Sequence, residues 1–303
     1  MVWLDNIRLR FGSPPTRRKA IESLTAAGKL PGMKLLVASL GDPHSQVRCA
    51  AAKALGAINE ESSVAARVAA LADLSSEARA AGATTLRKVQ EPRRIQPLLK
   101  SARDSDPTVR LAAIIALGQD PDPLVAATLL HSLADPDARV RLAAAQALEP
   151  KADPAHVTHF LALLADEHFE VRITAIQFLR RICDPDIAPA LISRLADPDS
   201  DVRRAAATAL GTLRNPAALE PLVLSLTDEE SAVRHAAGAA LEEIDPRWVR
   251  TDAAHRAIPQ IEALRTDPRP WIAAAAEKVL EKLRAAQHTD TEVWKRESGI
   301  RTL

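Results

Sequence analysis

The feature that most constrains this chain is an internal repeat with a period of 31 residues. Aspartates recur at this spacing, and each is followed six positions later by an arginine and thirteen positions later by a leucine. A period of this length indicates a supersecondary unit that buries its apolar face only by stacking on its neighbours. The aspartates are Asp42, Asp73, Asp104, Asp135, Asp166, Asp197 and Asp228, and the arginines are Arg48, Arg79, Arg110, Arg141, Arg172, Arg203 and Arg234.

The apolar positions of each repeat predict two helices. Counting from the aspartate, apolar or small residues fall at +5, +8, +9, +12 and +13, which form one stripe of an α-helix that we call helix B. A second apolar run with helical spacing, such as "LEPLVLSLTD", precedes the turn and is called helix A. Pro, Gly and Asn separate the runs. We therefore predict an all-α chain, an α-solenoid of about seven to eight helical-hairpin repeats with atypical caps.

Both ends of the chain depart from the repeat in the way that caps do. Arg17 and Leu24 keep their places at the N-terminus, but Phe11 stands where an aspartate is expected. At the other end the next aspartate, Asp267, comes after 39 residues. We expect one solenoid over residues 1–284 and a polar tail over 285–303. The expected parts of the solenoid are an N-terminal cap (1–28), the repeats (29–244), an insertion (245–257) and a C-terminal cap repeat (258–284).

The repeat resembles the HEAT-like family, in particular its short bacterial form related to the phycobilin lyases. The resemblance rests on the pattern L-x-D-x(4)-V-R-x-A-A-x-x-A-L-G, as in "LADPDSDVRRAAATALG", and on prolines in helix A at Pro97, Pro189 and Pro221. It covers approximately residues 11–284. It implies partner binding on the inner, concave surface formed by the B helices, without naming the partner.

The aspartate and arginine of each repeat fit a structural role, because a catalytic group is needed once and these occur in every repeat. Each aspartate is expected to accept hydrogen bonds from its turn and from a guanidinium, which gives a ladder of ion pairs. Arg17 lacks an aspartate in its own repeat and Asp267 lacks an arginine. Pairing each arginine with the aspartate of the following repeat removes both mismatches, so we predict Arg17 with Asp42 and Arg234 with Asp267.

The chain shows no pattern for a metal or for catalysis. The segment "DPDSD" at 197–201 begins like a calcium loop, but Val202 and Thr208 stand where that loop needs Gly and Glu. We instead predict that Asp106, Asp137 and Asp199 cap their B helices. The nearest metal candidates, His156, His159 and His168, have no carboxylate or thiol that completes a set.

The sequence predicts a non-enzymatic protein without a cofactor. It contains no nucleophile elbow, P-loop or HExxH. Deoxyhypusine hydroxylase, an enzyme built on the same kind of repeat, belongs to a family that ligates iron through His-Glu pairs. None of the eight histidines of this chain precedes a Glu.

Charge and composition narrow the choice of partner. The chain has 40 Lys and Arg against 39 Asp and Glu, and only 3% aromatic residues, which disfavours nucleic acid as the partner. Asp5 and Arg8 interrupt the N-terminal segment where a signal peptide is apolar, and no later segment is long and apolar enough to span a membrane. Only Cys49 and Cys183 are present. We expect a cytoplasmic protein with a protein or peptide partner.

The predicted binding surface lies on helix B, opposite its buried stripe, at positions +4, +7, +11 and +14. Leu111, Leu142 and Ile173 occupy +7 in three successive repeats and would form an apolar strip. An apolar strip with a polar rim is typical of a partner site, but these residues equally fit ordinary packing between repeats. The neighbouring candidates are Ile115, Arg139, Gln146, Glu170 and Gln177.

The functional prediction is therefore an interaction scaffold that binds its partner on the concave face of the B helices. The alternatives are an accessory or chaperone-like subunit of an enzyme, similar to the phycobilin lyases, and a nucleic-acid-binding solenoid.

Trp248 in the insertion and Trp294 in the tail either contact a partner or fold back on the cap. Phe178 at +12, where other repeats have Ala or Thr, is expected to fill a wider gap in the core.

Overall fold

The computed structural model describes residues 2–26, 33–57, 64–87, 89, 92–118 and 120–297. These ranges contain eighteen α-helices and no β-strand, so the predicted all-α class is confirmed. The helices group into two compact units, Met1–Leu148 and Glu149–Leu303, which we call the N-terminal and C-terminal units. The expected boundary between cap and first repeat at 28/29, and the last residues of the tail, 298–303, lie outside the described residues.

In the N-terminal unit, five A-type helices alternate with five B helices. The A-type helices are α1 (Val2–Phe11), α3 (Met33–Ser39), α5 (Val64–Ala70), α7 (Ile95–Ser101) and α9 (Pro123–Ser132). The B helices are α2 (Pro14–Ala26), α4 (Ser45–Ala57), α6 (Ser76–Leu86), α8 (Pro107–Leu117) and α10 (Ala138–Leu148). Each B helix packs on the next one and on the A helix that precedes it.

The C-terminal unit has the same alternation. Its A helices are α11 (Val157–Leu163), α13 (Ala188–Ser193), α15 (Leu219–Ser225) and α17 (Asp252–Ala263), and its B helices are α12 (Phe169–Ile182), α14 (Ser200–Leu213), α16 (Ser231–Ile244) and α18 (Pro270–Glu297). The segment expected as an insertion forms a turn, a 3-10 turn at Trp248–Arg250 and the start of α17. Part of the polar tail is helical, because α18 continues to Glu297.

The core of each unit lies between the B-helix stripe and buried residues of the A helices, such as Leu98 and Leu222. The leucine at +13 is 0–1% exposed in every repeat from Leu55 to Leu280, and the residues at +5 and +9 are also buried. Burying a leucine stabilises a protein by roughly 2 kcal/mol, which is why this position tolerates so little variation along the chain. In one repeat the core is larger. The rings of Phe160 and Phe178 stack with centroids 3.7 Å apart, and both are fully buried, as expected for Phe178.

Position +14, which was predicted to face outward, is buried against the next B helix in two repeats. Gly118 and Gly211 are buried there, so the prediction is wrong for them. A Cβ on Gly211 would lie 2.8 Å from Ala240 Cα, and one on Gly118 would lie 3.0 Å from Ala147 Cβ. These contacts explain the Gly that follows "AL" in several repeats, because it lets adjacent B helices approach each other closely.

Ion pairs join the turns of successive repeats within each unit. The Nε and Nη2 atoms of Arg17 donate to the Asp42 carboxylate at 2.7 and 2.9 Å, across 25 residues of sequence. The pairing thus runs from the arginine of one repeat to the aspartate of the next. The same step is observed for Arg48 with Asp73, Arg79 with Asp104, Arg110 with Asp135, Arg172 with Asp197, and Arg203 with Asp228.

The same side chains also hold their own turns. Nη1 of Arg48 donates to the carbonyl oxygen of Asp42 at 2.8 Å, and the Asp42 carboxylate accepts from the His44 backbone N–H at 2.9 Å. Each guanidinium therefore bridges two turns. The corresponding contacts within a turn are made by Arg141, with the Asp135 carbonyl at 2.8 Å, and by Asp166, with the His168 N–H at 2.9 Å.

The last predicted pair, Arg234 with Asp267, is wrong. The Asp267 carboxylate accepts hydrogen bonds from the backbone N–H, Nε and Nη2 of Arg269, at 2.9, 2.9 and 3.0 Å. Among the residues that the structure describes, Arg234 bonds only within its own turn, from Nη1 to the carbonyl oxygens of Asp228 and Glu229 at 2.6 and 2.9 Å.

The physical reason for this break is the segment that precedes α17. Trp248 in this segment is 1% exposed and contacts both α16 and α18. Its indole Nε1 donates to Glu242 Oε1 on α16 at 3.1 Å, and Lys282 Nζ on α18 lies 4.6 Å from its ring centroid. Of the two roles considered for Trp248, folding back on the cap is the one observed. The Trp294 side chain lies outside the described residues.

Candidate functional site

Side chains at +4 and +11 of the B helices project into solvent in every repeat from Asp42 to Asp267. We call the surface formed by positions +4, +7 and +11 the B-helix face. Because +5, +9 and +13 are buried in the same helices, the face lies opposite the core. The exposed residues at +4 are Gln46, Glu77, Thr108, Arg139, Glu170, Asp201, Ala232 and Trp271, and those at +11 are Lys53, Thr84, Ile115, Gln146, Gln177, Thr208, Ala239 and Lys278.

The predicted apolar strip at +7 is half-buried. Leu111 and Leu142 in the N-terminal unit, and Ile173 in the C-terminal unit, each have intermediate exposure. Each side chain thus packs against its neighbours on one side and presents apolar surface on the other. Ile115, one turn along α8 from Leu111, is 43% exposed. These residues can therefore pack between repeats and contribute to a binding site at the same time.

The structure brings five of the eight predicted site residues together in the N-terminal unit. Leu111 and Ile115 lie on α8, and Arg139, Leu142 and Gln146 lie on α10, which packs against α8. The other three, Glu170, Ile173 and Gln177, lie on α12 of the C-terminal unit, where Glu170 and Gln177 are exposed.

The guanidinium of Arg139 forms a local ion pair. Its Nε and Nη2 atoms donate to the Asp137 carboxylate at 3.1 and 2.8 Å. The hydrogen bond from the Arg139 side chain lowers the pKa of Asp137 to about 2, with a further contribution from the Arg139 backbone N–H. Asp137 is therefore a helix N-cap as predicted, and so are Asp106 and Asp199, each of which accepts a backbone N–H of the first turn.

The B-helix face of the N-terminal unit contains a groove of about 810 Å³ between α2 and α4. Gln46, Cys49 and Lys53, at positions +4, +7 and +11, line it together with Arg18 and Glu22 of α2. The Cys49 thiol is held by a weak bond to the Glu77 carbonyl oxygen at 3.7 Å.

A second groove on this face, of about 730 Å³, lies between α16 and α18 of the C-terminal unit. Trp271, at +4 of the last repeat, stands in it with 54% of its surface exposed. The sequence prediction did not include Trp271. Trp271 lies four residues after Asp267, and this +4 position in the sequence is enough to assign it to the exposed B-helix face.

The opposite side of the N-terminal unit has a groove of about 1000 Å³ among α5, α7 and α9. Val68, Leu71, Leu99 and Leu124 line it, and Leu124 is 54% exposed. This apolar surface belongs to the A helices and is therefore a separate candidate.

The aspartates considered for calcium binding make other contacts. The Asp197 carboxylate accepts from Arg172 Nη2 at 2.7 Å, and Asp199 accepts from the backbone N–H of Asp201 at 2.9 Å. In the described part of the chain, no three His, Cys, Asp or Glu side chains lie close enough together to hold a metal ion. Among the described helices, none is both long and apolar enough to traverse a lipid bilayer.

Helical hairpins that stack through a repeated core and a repeated ion pair define an α-solenoid repeat protein. The family model for HEAT repeats matches residues 7–66, 64–149, 157–242 and 188–281. The chain therefore belongs to the HEAT repeat family, as the sequence resemblance predicted.

Two solved structures show the same fold at low sequence identity, and a third is reported beside them. An engineered protein is 21% identical with a TM-score of 0.56, and the alignment covers 93% of this chain and 88% of that one. YibA of Escherichia coli is 22% identical with a TM-score of 0.62, over 78% and 89% of the two chains. The CpcE and CpcF complex of phycocyanin lyase from Nostoc sp. is 22% identical with a TM-score of 0.44, over 77% and 94%. A comparison with curated proteins finds no match.

Proposed function

We propose that this chain is a non-enzymatic scaffold that binds a protein or peptide partner through its B-helix face. The observation that carries the proposal is the constant exposure of +4 and +11 in eight repeats whose +13 leucines are all buried. Stacked repeats present an extended surface within each unit, and HEAT repeats typically use such a surface for protein interactions.

The charges on the B-helix face favour a protein over a nucleic acid. Positions +4, +7 and +11 carry four basic side chains (Lys53, Arg139, Arg204, Lys278) and three acidic ones (Glu77, Glu170, Asp201). Two of the basic groups are already paired locally, Arg139 with Asp137 and Arg204 with Asp201, both at 2.8 Å. A surface that binds a polyanion needs a clear excess of unpaired positive charge.

The apolar part of the face is concentrated on α8 and α10. Leu111, Ile115 and Leu142 present apolar surface there, with exposed Gln146 and the Arg139–Asp137 pair beside them. Partner sites typically have this arrangement of an apolar centre and a polar rim. We therefore assign the strongest contact in the N-terminal unit to this patch.

The test is affinity capture from the native host with the tagged full-length chain and three variants. Ile115→Glu and Leu142→Glu place a charge on the B-helix face, and Leu124→Glu places the same charge on a similarly exposed leucine of the A helices. A partner captured by the wild-type chain is expected to be lost from both B-face variants and retained by Leu124→Glu.

Thermal unfolding of each variant, followed by circular dichroism, provides the control. Ile115→Glu is expected to unfold near the wild-type temperature, because its side chain is already partly in water. Retention of the partner by Ile115→Glu together with its loss from Leu124→Glu would assign the site to the A-helix groove and contradict the proposal.

A further inference from the structure

The last regular arginine of the ladder, Arg234, has a donor edge that the fold does not use. The corresponding arginines Arg17, Arg48, Arg79, Arg110, Arg172 and Arg203 each donate to a carboxylate of the following repeat. Within the described residues, Arg234 makes only the two carbonyl bonds of its own turn, both through Nη1. Its Nε and Nη2 atoms are therefore free to donate.

Arg234 lines the groove between α16 and α18. The groove exists because the stacking of B helices is interrupted here. Consecutive B helices of the C-terminal unit pack on one another up to α16. Helix α18 instead packs mainly on α17, on the 3-10 turn Leu264–Thr266 that follows it, and on the turn that carries Trp248. The same inserted turn thus opens the groove and removes the carboxylate that would have paired with Arg234.

The groove combines apolar and positively charged surface. Trp271 forms one wall, and Gly238, Ala239, Ala274 and Ala275 leave the space beside it open. A Cβ on Gly238 would have only Leu226 Cδ2 within 4 Å, at 3.8 Å.

The charge in the groove is unbalanced. Its one acidic lining residue, Glu242, is already bonded to the Trp248 indole and lies 3.7 Å from Lys282. Lys278, at +11, is exposed and has no ion pair within the described residues. Arg234 and Lys278 therefore leave uncompensated positive charge beside Trp271.

We propose that this groove binds an acidic peptide segment of a partner protein, whose Asp or Glu carboxylate pairs with Nε and Nη2 of Arg234. The proposal rests on the proposed function, since α16 and α18 belong to the B-helix face. The molecule itself supplies the template for the contact. Arg203 Nε and Nη2 hold the Asp228 carboxylate at 2.7 and 3.0 Å, and the partner's carboxylate takes the corresponding place on Arg234. An apolar side chain next to that carboxylate packs on Trp271, and a second acidic residue meets Lys278.

The test is selection of peptides from a phage-displayed library of random dodecamers on the full-length chain. Enriched peptides are expected to contain Asp or Glu next to an apolar residue. Their dissociation constants are then measured by fluorescence anisotropy. Replacing the acidic residue of the peptide with its amide, or Arg234→Gln in the protein, is expected to weaken binding on the order of 10- to 100-fold, because a charge-assisted pair is lost.

Two further variants separate the contact from effects on folding. Trp271→Ala removes an exposed side chain and is expected to weaken binding on the order of tenfold without changing thermal unfolding. Arg256→Gln removes an exposed arginine that lies outside the groove and pairs with Glu220, and is expected to leave binding unchanged.

The outcomes distinguish this inference from the proposed function. Peptides that bind wild type, Arg234→Gln and Trp271→Ala equally, but are lost from Ile115→Glu, overturn the groove assignment and leave the B-helix face as the binding surface. Failure to enrich any peptide overturns the groove assignment alone, because the proposed function is tested by capture of the partner with Ile115→Glu and Leu142→Glu. Self-association of the wild-type chain that Arg234→Gln abolishes would show that a second copy supplies the carboxylate, and would overturn the assignment to a separate partner.

Discussion

Replacing Gly211 with alanine is expected to destabilise the protein, although alanine is the better helix former. Gly211 lies inside α14, where Gly→Ala by itself adds about 1 kcal/mol to the free energy of unfolding. The new methyl group, however, would lie 2.8 Å from Ala240 Cα and 3.0 Å from Ala240 Cβ. These atoms belong to α16, so relief requires a helix to move. Overpacking of this kind typically costs about 1–3 kcal/mol, so after the gain in helix propensity we expect a net loss of up to about 2 kcal/mol.

Gly238→Ala is the matched control, because Gly238 also lies inside a B helix, α16, but has open space where its Cβ would be. It is expected to gain about 0.5–1 kcal/mol from helix propensity alone. Urea unfolding of the two variants, followed by far-ultraviolet circular dichroism, measures both changes. Two stabilising substitutions, or a destabilised Gly238→Ala beside a neutral Gly211→Ala, would refute the close approach of α14 and α16.

Three further substitutions test the ladder, a helix cap and the aromatic core. Arg203→Met is expected to cost about 3 kcal/mol in urea unfolding, because it leaves a largely buried carboxylate unpaired, whereas Arg204→Met, in an exposed pair, should change stability by under about 0.5 kcal/mol. Equal losses of stability from Arg203→Met and Arg204→Met would contradict a structural role for the ladder of ion pairs. The pKa of Asp137 is lowered from 3.8 to about 2. The ionised Asp137 carboxylate therefore stabilises the fold above roughly pH 4, and this contribution is lost as the pH falls through about 2. Asp137→Asn should therefore cost about 0.5–1 kcal/mol at neutral pH, discounted for the exposure of Arg139, and nothing well below pH 2; a difference that persists there would refute this. Phe178→Ala should cost about 3–5 kcal/mol by leaving a cavity beside Phe160, and a change under about 1 kcal/mol would contradict the stacked core.

Features that depend on one repeat and its immediate neighbour were predictable from the sequence. The buried leucines at +13 follow from helical periodicity, and the cap at Asp199 follows from its place just before helix B. The direction of the Arg–Asp pairing was also accessible, because Arg17 lacks its own aspartate and binds Asp42.

Features that depend on the distance between helices were not predictable in this way. The period of one helix places Gly211 at the edge of its exposed side, but only the approach of α16 buries it. Arg234 and Asp267 looked like the last ladder pair because counting residues does not reveal that Trp248 lies between α16 and α18. Trp271 was within reach of the sequence, since it occupies +4 after Asp267.

The measurement that tests the central claim most directly is hydroxyl-radical footprinting of the full-length chain with and without its captured partner. Binding through the B-helix face predicts that oxidation of Ile115, Leu142 and Trp271 slows in the complex, while oxidation of Leu124 on α9 is unchanged. Protection of Leu124, with Ile115 and Trp271 as reactive as in the free chain, would contradict the account.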